Sequence, residues 1–124
     1  MPLSKGLRDE ENQRINNILK KLHELVFVPD FTISNTDEHL KSLGLNLETL
    51  LDFTSEELIN HLDKFHFDWE NTEAFADFLI LLSNKTGETK LKEKALTLYN
   101  YTQSESKTFS LEIFNKIASL KAQL

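Results

Sequence analysis

The sequence predicts an all-α fold: a small array or bundle of about five to seven helices. Three observations carry that expectation. Punctuation is sparse, with three Gly and two Pro in 124 residues, which suits long helices better than a many-turned β fold. Apolar residues recur at spacings of three and four from end to end, the period of a helix face. No segment alternates convincingly with period two. The length predicts one domain over 1–124 with one real core, residues 1–6 forming a flexible N-terminus.

In "RINNILKKLHELV" the apolar positions Ile15, Ile18, Leu19, Leu22, Leu25 and Val26 form one stripe. Asp9, Glu10 and Glu11 crowd its start, and Lys20 and Lys21 lie further on, as the helix dipole favours. Pro29 lacks an amide proton and restricts Val28, so a helix is expected over about 7–27. The stretch "FTIS" (31–34) has no partner strand. Asn35 with Glu38 resembles a capping box for a short helix that Gly44 closes in a left-handed turn. Asn46 caps a further turn, "LETLLDF". Thr54 with Glu57 is a full capping box opening "SEELINHLDKF", with Leu58, Ile59, Leu62 and Phe65 facing inward.

"NTEAFADFLILLS" is apolar nearly all round, so a helix at about 71–84 is expected to be the most buried, at the centre of the fold. Gly87 breaks it. The next helix, "TKLKEKALTLYNYTQSE", carries Leu91, Ala95, Leu98, Tyr99 and Thr102 on one side. Ser110 caps the last, whose stripe is Ile113, Ile117, Leu120 and Leu124.

Within 79–107, Leu82, the small Ser83, Ala95 and Tyr99 match the tetratricopeptide pattern in type and spacing, while Leu79, Thr86 and Lys107 depart from it. The segment at about 72–107 therefore resembles one degenerate tetratricopeptide-like hairpin. Small residues stand there because paired helices cross closely. More loosely, "LGLNLETLLDFTSEELINHL" ahead of such a hairpin is similar to an uncharacterised bacterial family of small helical, tetratricopeptide-like domains. That resemblance implies architecture and carries nothing about catalysis.

Composition and motifs exclude much. There is no cysteine, hence no disulfide, thiolate nucleophile or thiolate metal site. Net charge is −6, and the lysines are interleaved with acidic residues, so no nucleic-acid partner is expected. The longest apolar run, "FLILL", is far below a membrane span, and "MPLSKGLRDEENQR" is no signal peptide; no membrane partner and a cytoplasmic location are expected. No serine elbow, phosphate loop or dinucleotide fingerprint occurs. "NKTGETK" lacks phosphate-loop spacing and reads as a helix–helix turn. No catalytic residue, cofactor or metal is expected.

The densest chemistry is "HLDKFHFDWE" (61–70). Histidines four apart on a helix share a face and can hold zinc, but His61 and His66 are five apart, rotated by roughly 140°. The better reading is a hinge. Phe65, Phe67 and Trp69 anchor one helix layer to the next, and Asp68, Glu70 and Asn71 serve the following helix as cap or dipole partners. His23 and His39 read as surface histidines.

The functional expectation is a non-enzymatic protein–protein interaction module: an adaptor, inhibitor or immunity-type binder whose partner has a basic surface. The alternative is a small helical enzyme or a ligand-binding bundle with a buried pocket. The candidate interaction surface comprises Tyr101, which falls off the stripe of its helix, with Phe67 and Trp69 in the linker, the last two having the stronger claim to be core anchors.

Overall fold

The structure, a computed structural model, describes residues 2–124, with side chains from Asp9 onward. Among the described residues seven α-helices follow one another: α1 (Pro2–Val26), α2 (Ile33–Leu40), α3 (Leu47–Asp52), α4 (Ser55–Lys64), α5 (Trp69–Thr86), α6 (Thr89–Glu105) and α7 (Leu111–Gln123), with a 3-10 turn at Lys41–Leu43 after α2. No strand occurs among the described residues. The all-α expectation is met.

Helix α5 lies between α1 and α6, and α7 packs on α6 beyond it. The short helices close the other sides, α2 against α1, and α3 and α4 against α6. Phe75, Phe78, Leu79 and Leu82 of α5 are fully buried together with Ile15 and Leu22 of α1 and Leu91 and Ala95 of α6. Each of these Leu, Ile and Phe side chains contributes about 1.5–3 kcal/mol relative to exposure. Two polar ties fasten α1 to α5: Asn71 Nδ2 donates to the Asn12 carbonyl at 3.1 Å, and His23 Nε2 lies 3.2 Å from the Ala74 carbonyl.

Local chemistry sets most boundaries. The Thr54–Glu57 box is formed at α4, Asn46 caps α3 and Ser110 caps α7. Gly44 (φ 71°) and Gly87 (φ 78°) end their helices in the left-handed region. Some expectations need correction. Helix α2 starts at Ile33 rather than after Asn35, because Thr32 Oγ1 accepts the Asn35 amide at 3.2 Å, so "FTIS" feeds a helix. Helix α1 starts at Pro2, a residue pre-set for the first helical position. Asp9, Glu10 and Glu11 thus sit beyond its first turn, outside the reach of the dipole. The flexibility expected of residues 1–6 concerns Met1, outside the described residues, and others whose side chains are not described. Leu124, placed on the α7 stripe, is 49% exposed at the chain end.

The 61–70 stretch joins α4 to α5. Helix α4 ends in paired bonds, His66 N–H to the Asp63 carbonyl and Phe67 N–H to the Leu62 carbonyl, both 3.0 Å, around His66 at φ 63°. This is a left-handed helix stop built without glycine. Two residues later Asp68 caps α5, its carboxylate accepting the Asn71 amide at 2.7 Å. Two helix ends joined back to back fix the angle between α4 and α5.

Candidate interaction site

Helix α5 was expected to be buried all round, but one line of it is open. Glu73, Asp77, Ile80 and Leu81 are only half-buried. The first two are the only acidic residues in "NTEAFADFLILLS", and their i,i+4 spacing puts them on one face. Facing them across α6 is α7, whose Glu112 and Lys116 are also four apart. Between α5 and α7 runs a groove of about 490 Å³, with Tyr99 of α6 among its lining residues and Ile80, Leu81 and Leu120 as its apolar surface.

Charge in the groove is unbalanced. Lys116 Nζ lies 2.6 Å from Glu73, 3.1 Å from Asp77 and 3.6 Å from Glu112. It also stands 5.9 Å from the centre of the Tyr99 ring. Asp77 uses both oxygens, one taken by Lys116 and the other accepting the Tyr99 hydroxyl. Burial alone would lower the Lys116 ammonium, but its hydrogen bonds to Glu73 and Asp77 hold it above its ordinary value. Burial of Tyr99 pushes its phenol well up, and the hydrogen bond and charge of Asp77 push the same way. Among the described residues, three carboxylates therefore share one ammonium. The outermost, Glu112, is 76% exposed and free to meet a second cation.

The three aromatic residues singled out in the sequence meet elsewhere. Phe67, Trp69 and Tyr101 line a single recess of about 90 Å³ between α4, the α4–α5 link and α6, together with Asp63 and the buried Leu62 and Leu98. Trp69 and Tyr101 are in contact, ring centres 5.5 Å apart and tilted by 55°. Phe67 sets its ring edge-on to Phe75 of the core, 5.9 Å away, as an anchor would. The other two depart from the expected roles. Trp69 is 40% exposed, whereas Tyr101 is half-buried against it. As the first residue of α5, Trp69 is held at the rim by the Asp68 cap rather than drawn into the core.

The histidines are dispersed. His61 Nε2 donates to the Leu43 carbonyl at 2.8 Å, and its ring stacks on Phe65, centres 4.5 Å apart. His66 instead lies 3.4 Å from Glu11 of α1. His23, read as a surface residue, is half-buried at the α1–α5 interface, 6.1 Å from the Phe78 ring centre. His39 Nδ1 is 3.1 Å from the Asn35 carbonyl of its own helix. Among the described residues no three His, Asp or Glu side chains gather as a metal site, and no helix is long and apolar enough to cross a membrane.

Comparison with protein-family models, curated proteins and solved structures gives no match for this chain.

Proposed function

We propose that the chain is a non-enzymatic protein-interaction module that receives a basic amphipathic segment in the groove between α5 and α7. The observation that carries this reading is the groove's composition: an apolar surface of Ile80, Leu81 and Leu120 beside three carboxylates that share one lysine. An apolar side chain of the partner gains from the surface, and an arginine or lysine beside it meets the surplus negative charge. The net charge of −6 draws a basic partner towards the protein as a whole. Adaptor, inhibitor and immunity-type roles all fit this chemistry, as does a cytoplasmic setting. Burial of Leu82, Ser83, Ala95 and Tyr99 in the α5–α6 pair supports the tetratricopeptide-like reading of that hairpin.

Panning a random peptide library on the immobilised protein tests the proposal. Enrichment of sequences joining Arg or Lys to Leu, Ile or Phe is expected, with binding that weakens as salt rises. Glu112→Lys reverses an exposed charge of the groove and should remove most of that binding, with only the small fall in melting temperature that a lysine beside Lys116 in the first turn of α7 brings. Enrichment of acidic or purely apolar sequences, or binding indifferent to Glu112→Lys, would refute the groove as the site.

A further inference from the structure

The recess bounded by Phe67, Trp69 and Tyr101 is separate from the groove and has a chemistry of its own. Among the described residues, Asp63 is the only charged one lining it. Leu62 and Leu98, both buried, are among its lining residues. Glu105, one turn along α6 from Tyr101, adds to the negative field around that ring, which burial and then Asp63 and Glu105 together hold above its ordinary phenol range. The volume, about 90 Å³, is several times the roughly 10–15 Å³ that one water needs, room for a compact head group.

Four classes of guest can be weighed. An anion meets a carboxylate and the negative faces of the rings, and is repelled. A hard divalent cation wants six or more oxygen ligands, and the lining offers one carboxylate and the hydroxyls of Thr72 and Tyr101. A neutral apolar group gains from the rings but would leave Asp63 unused. A methylated ammonium gains from the residues present: its charge is spread over methyl groups and weakly hydrated, its methyls pack on an aromatic and aliphatic lining, and its charge is drawn to aromatic rings and to the carboxylate.

We propose that this recess binds a methylated ammonium head group. The head group belongs either to a free small molecule of choline type or to a methylated lysine side chain. Trp69 is the only tryptophan in the chain, so intrinsic fluorescence reports directly on the recess.

The test titrates the full-length chain, at fixed ionic strength, with tetramethylammonium, with choline and with a short peptide carrying trimethyllysine. The neutral isostere 3,3-dimethylbutanol is the control. A saturable change in Trp69 emission, matched by calorimetry, is expected for the ammonium probes, with the isostere at least about tenfold weaker. Asp63 is exposed, so Asp63→Asn should leave the fold intact and weaken binding by about tenfold. Glu112→Lys, in the groove, should leave the titration unchanged, so failure at one site is distinguishable from failure at the other. Tighter binding of the peptide than of choline assigns the head group to a protein side chain, and the reverse order assigns it to a free molecule. No saturable signal by either method, an isostere that binds equally well, or an Asp63→Asn variant with undiminished affinity would overturn the proposal.

Discussion

Replacing Lys116 by methionine removes the one cation from a cluster of three carboxylates while keeping a stem of similar length over Tyr99. Fully exposed ion pairs contribute about 0.2–1 kcal/mol, and breaking a fully buried one costs about 3–5 kcal/mol. Lys116, Glu73 and Asp77 lie between these limits, with side chains 26%, 22% and 32% exposed. The expected loss is about 2–3 kcal/mol, because Glu73 and Asp77 are left facing each other without a counter-charge. Urea unfolding should show a lower midpoint at an unchanged slope. The cause is separable from lost packing by a double-mutant cycle with Asp77→Asn. Asparagine still offers an oxygen to the Tyr99 hydroxyl but carries no charge, so the double variant should lose less than the sum of the singles by at least about 1 kcal/mol. A loss below about 0.5 kcal/mol, or strict additivity, would refute the idea that this lysine holds the carboxylates together.

Three further outcomes are expected. Gly44→Ala should cost about 2 kcal/mol and Gly87→Ala about 1 kcal/mol, since a Cβ at Gly44 would stand 2.7 Å from Phe65 Cζ and one at Gly87 meets nothing within 4 Å; equal losses in urea melts would show that the Phe65–His61 stack gives way freely. Ala95→Trp, at a fully buried position of α6, should overpack the interior by at least about 1–3 kcal/mol, and an unchanged denaturant midpoint would show the site to be open. Lys116 and Tyr99 both release their protons at higher pH in the fold than their ordinary values of 10.5 and 10.0, so their stabilising contribution is complete below about pH 10 and is lost as pH rises further; the alkaline decline in melting temperature should be shallower in Tyr99→Phe, and an identical slope would exclude Tyr99 as a source.

Helix existence was legible in the sequence because its determinants are local. The Thr54–Glu57 box, Asn46, Ser110, Gly44 and Gly87 act within a turn of where they stand. The mistaken start of α2 is instructive. Thr32 and Asn35 are both competent caps, three residues apart, and the choice falls on Thr32, where Phe31 and Ile33 pack against the core. No local rule contains that packing. The groove was half legible: two acidic residues four apart in an otherwise apolar helix point to an open face. Their lysine comes from a separate helix, at a position that only the α6–α7 turn fixes. The aromatic recess was legible as residue types and not as a place. Phe67 and Trp69 leave α4 together, but Tyr101 joins them only because α6 returns antiparallel to α5.

The seating of α1 on α5 has a consequence for synthesis. Its buried stripe of Ile15, Leu19, Leu22 and Val26 finds its main cover in the middle of the chain, and its polar ties join residues 51 and 59 positions apart. On the ribosome that stripe emerges before α5, which follows about 3–10 s later at 5–20 residues per second. Until then α1 is an amphipathic helix without its main cover, and α2, a short helix of 8 residues, is its principal neighbour. A nascent chain halted before α5 should therefore be a good chaperone client, and one released after α6 a poor one.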